Sequence, residues 1–135
     1  MADVKISALP AAAALTGDET FPLVQGGVTL RAVVRAVQRI PVSNQTGTAY
    51  TAVAGDAGKT IRCANAAAIA LTLPTGTFVV GDVVLVRQVG AGQVTASGGT
   101  LNIPTAVTAK TRVQGSVMSL HYVAADTWDV SGDLA

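Results

Sequence analysis

From Thr46 to the end, apolar residues come in short alternating runs broken by turn chemistry every eight to twelve positions, and this rhythm constrains the chain more than any other feature. An amphipathic helix needs an apolar period near 3.6 sustained over several turns, whereas these runs have period two and stop too soon. In "TAYTAVAGDAGKTIRCAN", Gly55-Asp56-Ala57-Gly58 separates a strand near Tyr50 from one in which Ile61 and Cys63 alternate with Arg62. "AAIALTLPTG" sets Ile69, Leu71 and Leu73 against Ala70 and Thr72, then turns at Pro74 to Gly76. "DVVLVRQV" is apolar on both faces until Arg87, the pattern of a central strand. "GAGQVTASGGTLNI" reads as turn, strand, turn, strand, and "VMSLHYVAADTWDV" as two strands about Ala124-Ala125-Asp126. About eight such strands predict an all-β fold, a jelly-roll-like β-sandwich over residues 43–135.

Residues 1–42 read differently, as an arm, a small hairpin and one short helix. Ile6, Leu9 and Leu15 are isolated apolar anchors among alanines, and Pro10 biases the residues before it toward extended backbone. The alanine run can alternatively form a helical turn, which at that length needs packing to persist. In "FPLVQGGVTL", Gly26-Gly27 supplies positive φ for a two-residue hairpin turn. Next, Leu30, Val33, Val34 and Val37 fall at i, i+3, i+4 and i+7, predicting a helix capped by Thr29 and stopped by Pro41. Because valine is a mediocre helix former, a strand continuing from the hairpin is the alternative. The opposite face of that helix would carry Arg31, Arg35 and Arg39 with no carboxylate between them, either as a solvated basic face or as a dock for an acidic partner.

Composition narrows the chemistry. Half of the 135 residues are hydrophobic and only 13% are charged, more apolar surface than one small core hides, so partners are expected to cover some of it. Nine basic against eight acidic side chains give no overall field for nucleic acid. The uncharged run from Cys63 to Gly81 is interrupted by Asn65, Pro74 and Gly76, so no membrane span is expected, and the N-terminus lacks the basic and leucine-rich regions of a signal peptide. The chain is therefore expected to be made and kept in a cytosol until assembly. One cysteine and one histidine supply neither an internal disulfide nor a metal cluster, and Cys63 reads as a small buried strand residue. His121 has no nucleophile or paired acid beside it in sequence, and no loop gathers the carboxylates calcium needs. "GAGQVTASGG" lacks the lysine and following helix of a phosphate loop. Trp128 reads as a core residue, and with aromatics at 4% there is little to build a sugar or base platform. No catalytic residue, cofactor or metal is expected.

Two stretches resemble known proteins. "KISALPAAAALTGDETFPLVQGGVTLRAVV" is similar to the N-terminal segment of many tailed-bacteriophage virion proteins, in which a KIS-x-LP opening, an L-x-G-x-E step and a P-V/L-V-Q-G-G-x-T turn recur. "YTAVAGDAGKTIRCANAAAIALTLP", "GDVVLVRQVGAGQVTASGG" and "TWDVSGDL" resemble a small β domain of phage capsid-decoration and tail-fibre proteins. The resemblance implies a virion structural protein: a capsid decoration, or cement, protein on the outer shell, or alternatively a tail or tail-fibre component in attachment or host recognition. As a homo-oligomer bound to the major capsid protein and other virion subunits, it would use Ile6, Leu9, Phe21 and Leu23 as apolar contacts and Arg31, Arg35 and Arg39 as their electrostatic complement.

Overall fold

The computed structural model describes residues 20–33 and 39–135, and the chain divides into two compact units at Arg39/Ile40. In the first unit, β1 (Thr20–Gln25) and β2 (Val28–Val33) pair antiparallel with Gln25 opposite Val28. Gly26 and Gly27 take φ of 58° and 77°, the two positive angles that a tight hairpin of this length requires. The hairpin expectation therefore holds. The helix expectation does not hold over Leu30–Val33, which are strand: β-branched residues following a hairpin turn extend the ladder in preference to coiling. Residues 34–38, including Arg35, lie outside the described residues, as does the arm through Glu19.

The second unit is all-β, with nine strands and one 3-10 turn at Ala54–Asp56. Six are laid down as three successive coils. Strands β3 (Val42–Gln45) and β4 (Ala49–Thr51) form the first, β5 (Thr60–Cys63) and β6 (Ile69–Thr72) the second, and β7 (Val83–Gln88) and β8 (Val94–Ser97) the third. Like strands stack in parallel: Val42 on Thr60 and Thr60 on Leu85 in one sheet, Ala49 on Ala70 and Ala70 on Thr95 in the other. The remaining strands, β9 (Thr100–Asn102), β10 (Val117–Ala124) and β11 (Thr127–Gly132), complete a six-stranded sheet in the order β3-β5-β7-β10-β11-β9, facing the three-stranded sheet β4-β6-β8.

This connectivity corrects the jelly-roll expectation. A jelly roll is built of antiparallel Greek keys, whereas these coils make a short β-solenoid whose last coil is finished by an antiparallel hairpin, β10–β11. Period-two alternation is the same in both folds, because side chains alternate across a sheet whatever its strand directions.

The core fills the space between the two sheets. Ile61, Cys63, Ile69, Leu71 and Leu73 come from the second coil, Val84, Val86 and Val94 from the third, and all are buried. Under the hairpin, Phe78 and Tyr122 each stand edge-on to Trp128 at 4.9 Å between ring centroids, the arrangement aromatic quadrupoles favour. Thus Cys63 and Trp128 are buried as their sequence context suggested.

The turns between the two strands of each coil also stack. Asn65 donates to the Thr46 carbonyl above it at 2.6 Å and accepts from its own loop's Ala67 N–H at 2.8 Å, while Gly92 donates to the Asn65 carbonyl at 2.9 Å. The approach is so close that a Cβ on Gly90 would fall 2.1 Å from the Asn65 oxygen, and one on Gly92 1.8 Å from that of Ala67.

Candidate partner-binding surface

The outward face of the six-stranded sheet carries the side chains that the core alternation leaves over. On β7, Val84, Val86 and Gln88 point inward, so Val83, Leu85 and Arg87 point out, and on β5 the same rule turns Thr60 and Arg62 outward. The register sets Arg62 directly beside Arg87. Like charges placed side by side on one sheet face repel, and Arg62 donates instead to the side-chain Oδ1 of Asn44 on β3, at 3.2 Å. Among the described residues the side-chain ion pair formed is Arg112–Asp133, elsewhere on the body. Val83 and Leu85, with Ile40, Gly58 and Lys59, line an open recess of about 190 Å³ whose walls are almost wholly apolar. Ile40 and Val42 are 59% and 53% exposed, so the recess continues onto uncovered apolar surface. An apolar hollow bordered by Lys59, Arg62 and Arg87 suits a partner that offers aliphatic side chains together with carboxylates.

The other polar clusters hold the fold together. Gln88 and Thr111 are both fully buried: Thr111 donates its hydroxyl to Gln88 Oε1 at 2.6 Å and accepts from the Val94 N–H at 2.8 Å, and the Gln88 amide donates to the carbonyls of Gly90 and Ala91. Asp56, buried beside the 3-10 turn, accepts from the Tyr50 hydroxyl at 2.7 Å and the Val53 N–H at 3.0 Å. Burial first and this bond second hold the Tyr50 hydroxyl above its ordinary pKa. Asp133 accepts from Ser116 at 2.6 Å and from Arg112 Nε at 2.7 Å, and these partners, Ser116 foremost, hold its carboxyl below the usual value. Asp82 caps its own loop by accepting from Val79 N–H, as turn aspartates do, whereas Asp126 reaches across to Gly76, fifty residues earlier.

Cys63 is buried and its thiol is pushed up to about 11 by desolvation, so it stays protonated at neutral pH. His121 is exposed on the outer face opposite Asp129, but Asp129 takes its hydrogen bond from Asn102, at 2.8 Å. Ser119 and Ser131 pair on the same two strands, and no hydrogen bond joins either to His121. Among the described residues no group of three metal-ligating side chains converges, and no helix is long and apolar enough to cross a membrane.

Of the contact residues expected from sequence, Phe21 and Leu23 lie on β1 opposite Ala32 and Leu30, and Arg31 on β2 opposite Pro22. Arg39 is exposed at the junction of the two units, and Ile6, Leu9 and Arg35 lie outside the described residues. Sequence reasoning passed over the outer-face group Val83, Leu85, Arg62 and Arg87. Its only trace is that "DVVLVRQV" stays apolar on its second face, a pattern shared with a strand buried on both sides. No protein-family model, curated protein or solved structure matches the chain.

Proposed function

We propose that the chain is a non-enzymatic structural subunit of a tailed-bacteriophage virion, a capsid decoration protein that binds the outer shell and bridges neighbouring capsid subunits. The observation that carries the reading is the leader "KISALPAAAALTGDETFPLVQGG" placed ahead of a compact β body. The body's outer sheet face supports it, since an apolar recess that includes Lys59 and shares its face with Arg62 and Arg87 suits a protein partner. In this mechanism the arm residues Ile6, Leu9, Phe21 and Leu23 bury apolar area on adjacent subunits, worth about 25 cal/mol per Å² before ordering costs, and Arg31, Arg35 and Arg39 meet acidic capsid surface. Many symmetric copies make modest contacts collectively strong.

A tail or tail-fibre role is the second reading, favoured by the parallel coils, because stacked coils build elongated bodies. Phe78, Tyr122 and Trp128 are buried, and Tyr50 is half-buried with its hydroxyl bonded to Asp56, which leaves little platform for a saccharide receptor.

Gold labelling of the protein on intact virions, imaged by electron microscopy, separates the two. Regularly spaced label over the head is expected; label confined to the tail would reject the decoration reading in favour of the second. On decorated heads, a chain lacking residues 2–20 is expected to fold but to be lost from particles. Full occupancy by the truncated chain would overturn the tethering role of the arm.

A further inference from the structure

Two segments cross between the sheets side by side. On the three-stranded sheet, Ala96 N–H donates to Ala109 and Thr111 N–H to Val94, so residues 109–111 cover β8, and residues 112–116 then lead over to the start of β10. The return crossing starts at the end of β11, where Gly132 pairs with Met118 and Asp133 N–H donates to the Val117 carbonyl. Only glycine fits at this departure: Gly132 sits at φ 122°, and a Cβ on it would fall 2.3 Å from the Val117 oxygen. Residues 133–135 then lie along the other side of the covering segment. Arg112 N–H donates to Asp133, Ala135 N–H to Lys110 and Thr108 N–H to Ala135, and Leu134 pairs with Thr111. Residues 108–112 are thus held on both sides, by β8 within and by a short strap without.

The two fastenings differ in kind. The inner one is the buried Thr111 hydroxyl, shared between the Val94 N–H and Gln88, and it is neutral throughout. The outer one is a single carboxylate: Asp133 accepts from Ser116 at 2.6 Å and from Arg112 Nε at 2.7 Å, with a second guanidinium nitrogen at 2.6 Å. Ser116 Oγ in turn accepts from the Val113 N–H at 3.0 Å, so both crossings hang on that carboxylate. Leu134, buried, is the strap's one large apolar anchor. Among the described residues few other charged groups surround Asp133. Residues 108–112 bring Arg112 and, two positions earlier, Lys110, and residues 113–116 bring none. β10 brings His121, which stands opposite Asp129 on β11 and not beside Asp133.

We propose that Asp133 is a proton-operated clasp: protonation of its carboxylate releases residues 133–135 from residues 108–112 while the coils and the β10–β11 hairpin stay folded. A protonated carboxyl carries no charge to meet Arg112, and its own O–H competes with that of Ser116 for acceptors, so the two crossings lose the group they share. Ser116 foremost, and Arg112 with it, favour the charged form against partial desolvation and hold the carboxyl below its ordinary value. The clasp is therefore shut above the ordinary carboxylate range and opens as pH falls through the lower folded value. The inner fastening has no group that answers to pH, which confines the opening to the strap. The device goes beyond the virion reading and does not rest on it.

Amide hydrogen exchange of the full chain, read residue by residue by nuclear magnetic resonance, tests this. Between about pH 6 and about pH 2.5, after correction for the intrinsic pH dependence of exchange, the Arg112, Asp133 and Ala135 amides are expected to open about fivefold more often, the scale of one partly exposed ion pair and one charge-assisted hydrogen bond. The Ala96 and Thr111 amides, which face β8, are expected to keep their protection. Asp133→Asn retains an oxygen acceptor without the charge and separates this carboxylate from the body's others. At neutral pH it is expected to show the opening that the parent chain shows in acid, and to respond no further when acidified. A strap equally closed at both pH values in the parent chain, or an Asn variant as closed as the parent at neutral pH, would overturn the proposal. So would an Asn variant in which Ala96 and Thr111 lose protection in step with the strap, since the body would then open as one.

Discussion

Thr111 stands where three parts of the body meet: it belongs to the segment covering β8, bonds the Val94 backbone, and satisfies the carbonyl of Gln88 on β7 in the opposite sheet. Both side chains are fully buried, so neither has water to turn to. Thr111→Val keeps the shape and removes the hydroxyl, leaving a buried amide oxygen and a buried N–H unpaired, which costs about 2–4 kcal/mol. Thr111→Ser keeps the hydroxyl and is expected to lose about 1 kcal/mol or less. Urea denaturation of the two variants measures the difference, and equal losses would mean that the methyl, and not the hydrogen bonds, carries the site. The same residue scale shows what is legible without coordinates. Burial on a sheet face acts one side chain at a time, so Ile61, Cys63, Ile69, Leu71 and Trp128 declare themselves by alternation and size. Thr111 and Gln88 do not, since in sequence each is an ordinary polar residue and only their meeting across the core makes them a buried pair.

At the scale of the element, the stacked turns that join the two strands of each coil fix how closely one coil lies on the next. Gly92 occupies this column for want of space and not for its backbone angle, because a methyl there would overlap the Ala67 carbonyl. Gly92→Ala is expected to cost about 3 kcal/mol by forcing the coils apart, while Gly55→Ala, where a Cβ would meet nothing within 4 Å, changes stability by less than about 0.5 kcal/mol. Thermal melts of the two variants provide the check; a Gly92 variant as stable as the Gly55 one would show that the column yields freely. Elements are also where the sequence misleads. The spacing of Leu30, Val33, Val34 and Val37 satisfies a helical period, yet Leu30–Val33 are strand, because the Gly26-Gly27 turn had already set an antiparallel partner beside them. "VSNQ" shows almost no alternation of apolar residues, so β3 is invisible until β5 offers it a ladder. Parallel coils and antiparallel hairpins share one period, and the long-range partners that distinguish them, such as Thr60 with Leu85, leave no local mark.

For the body as a whole, the question is whether a stack of coils melts as a unit. Repeat architectures unfold piecemeal when neighbours are joined only by local contacts. Here one core runs from Ala52 in the first coil to Leu134 near the C-terminus, with Trp128 buried in the closing hairpin. Trp128 is the only tryptophan, so its fluorescence reports the closing hairpin, while far-ultraviolet circular dichroism reports all the strands. The two transitions are expected to coincide in denaturant. A fluorescence change that precedes or follows the loss of strand signal would mean that hairpin and coils form separate cooperative units.

The three-coil stack also behaves as a ruler. Each coil adds one inter-strand spacing, about 4.8 Å, between β3 and the β10–β11 hairpin. Duplicating or deleting a whole coil would therefore change the length of the body in fixed increments while keeping its cross-section and its closing hairpin. The length of the stack and the structure of its end are written in different parts of the chain, and each can vary without rewriting the other.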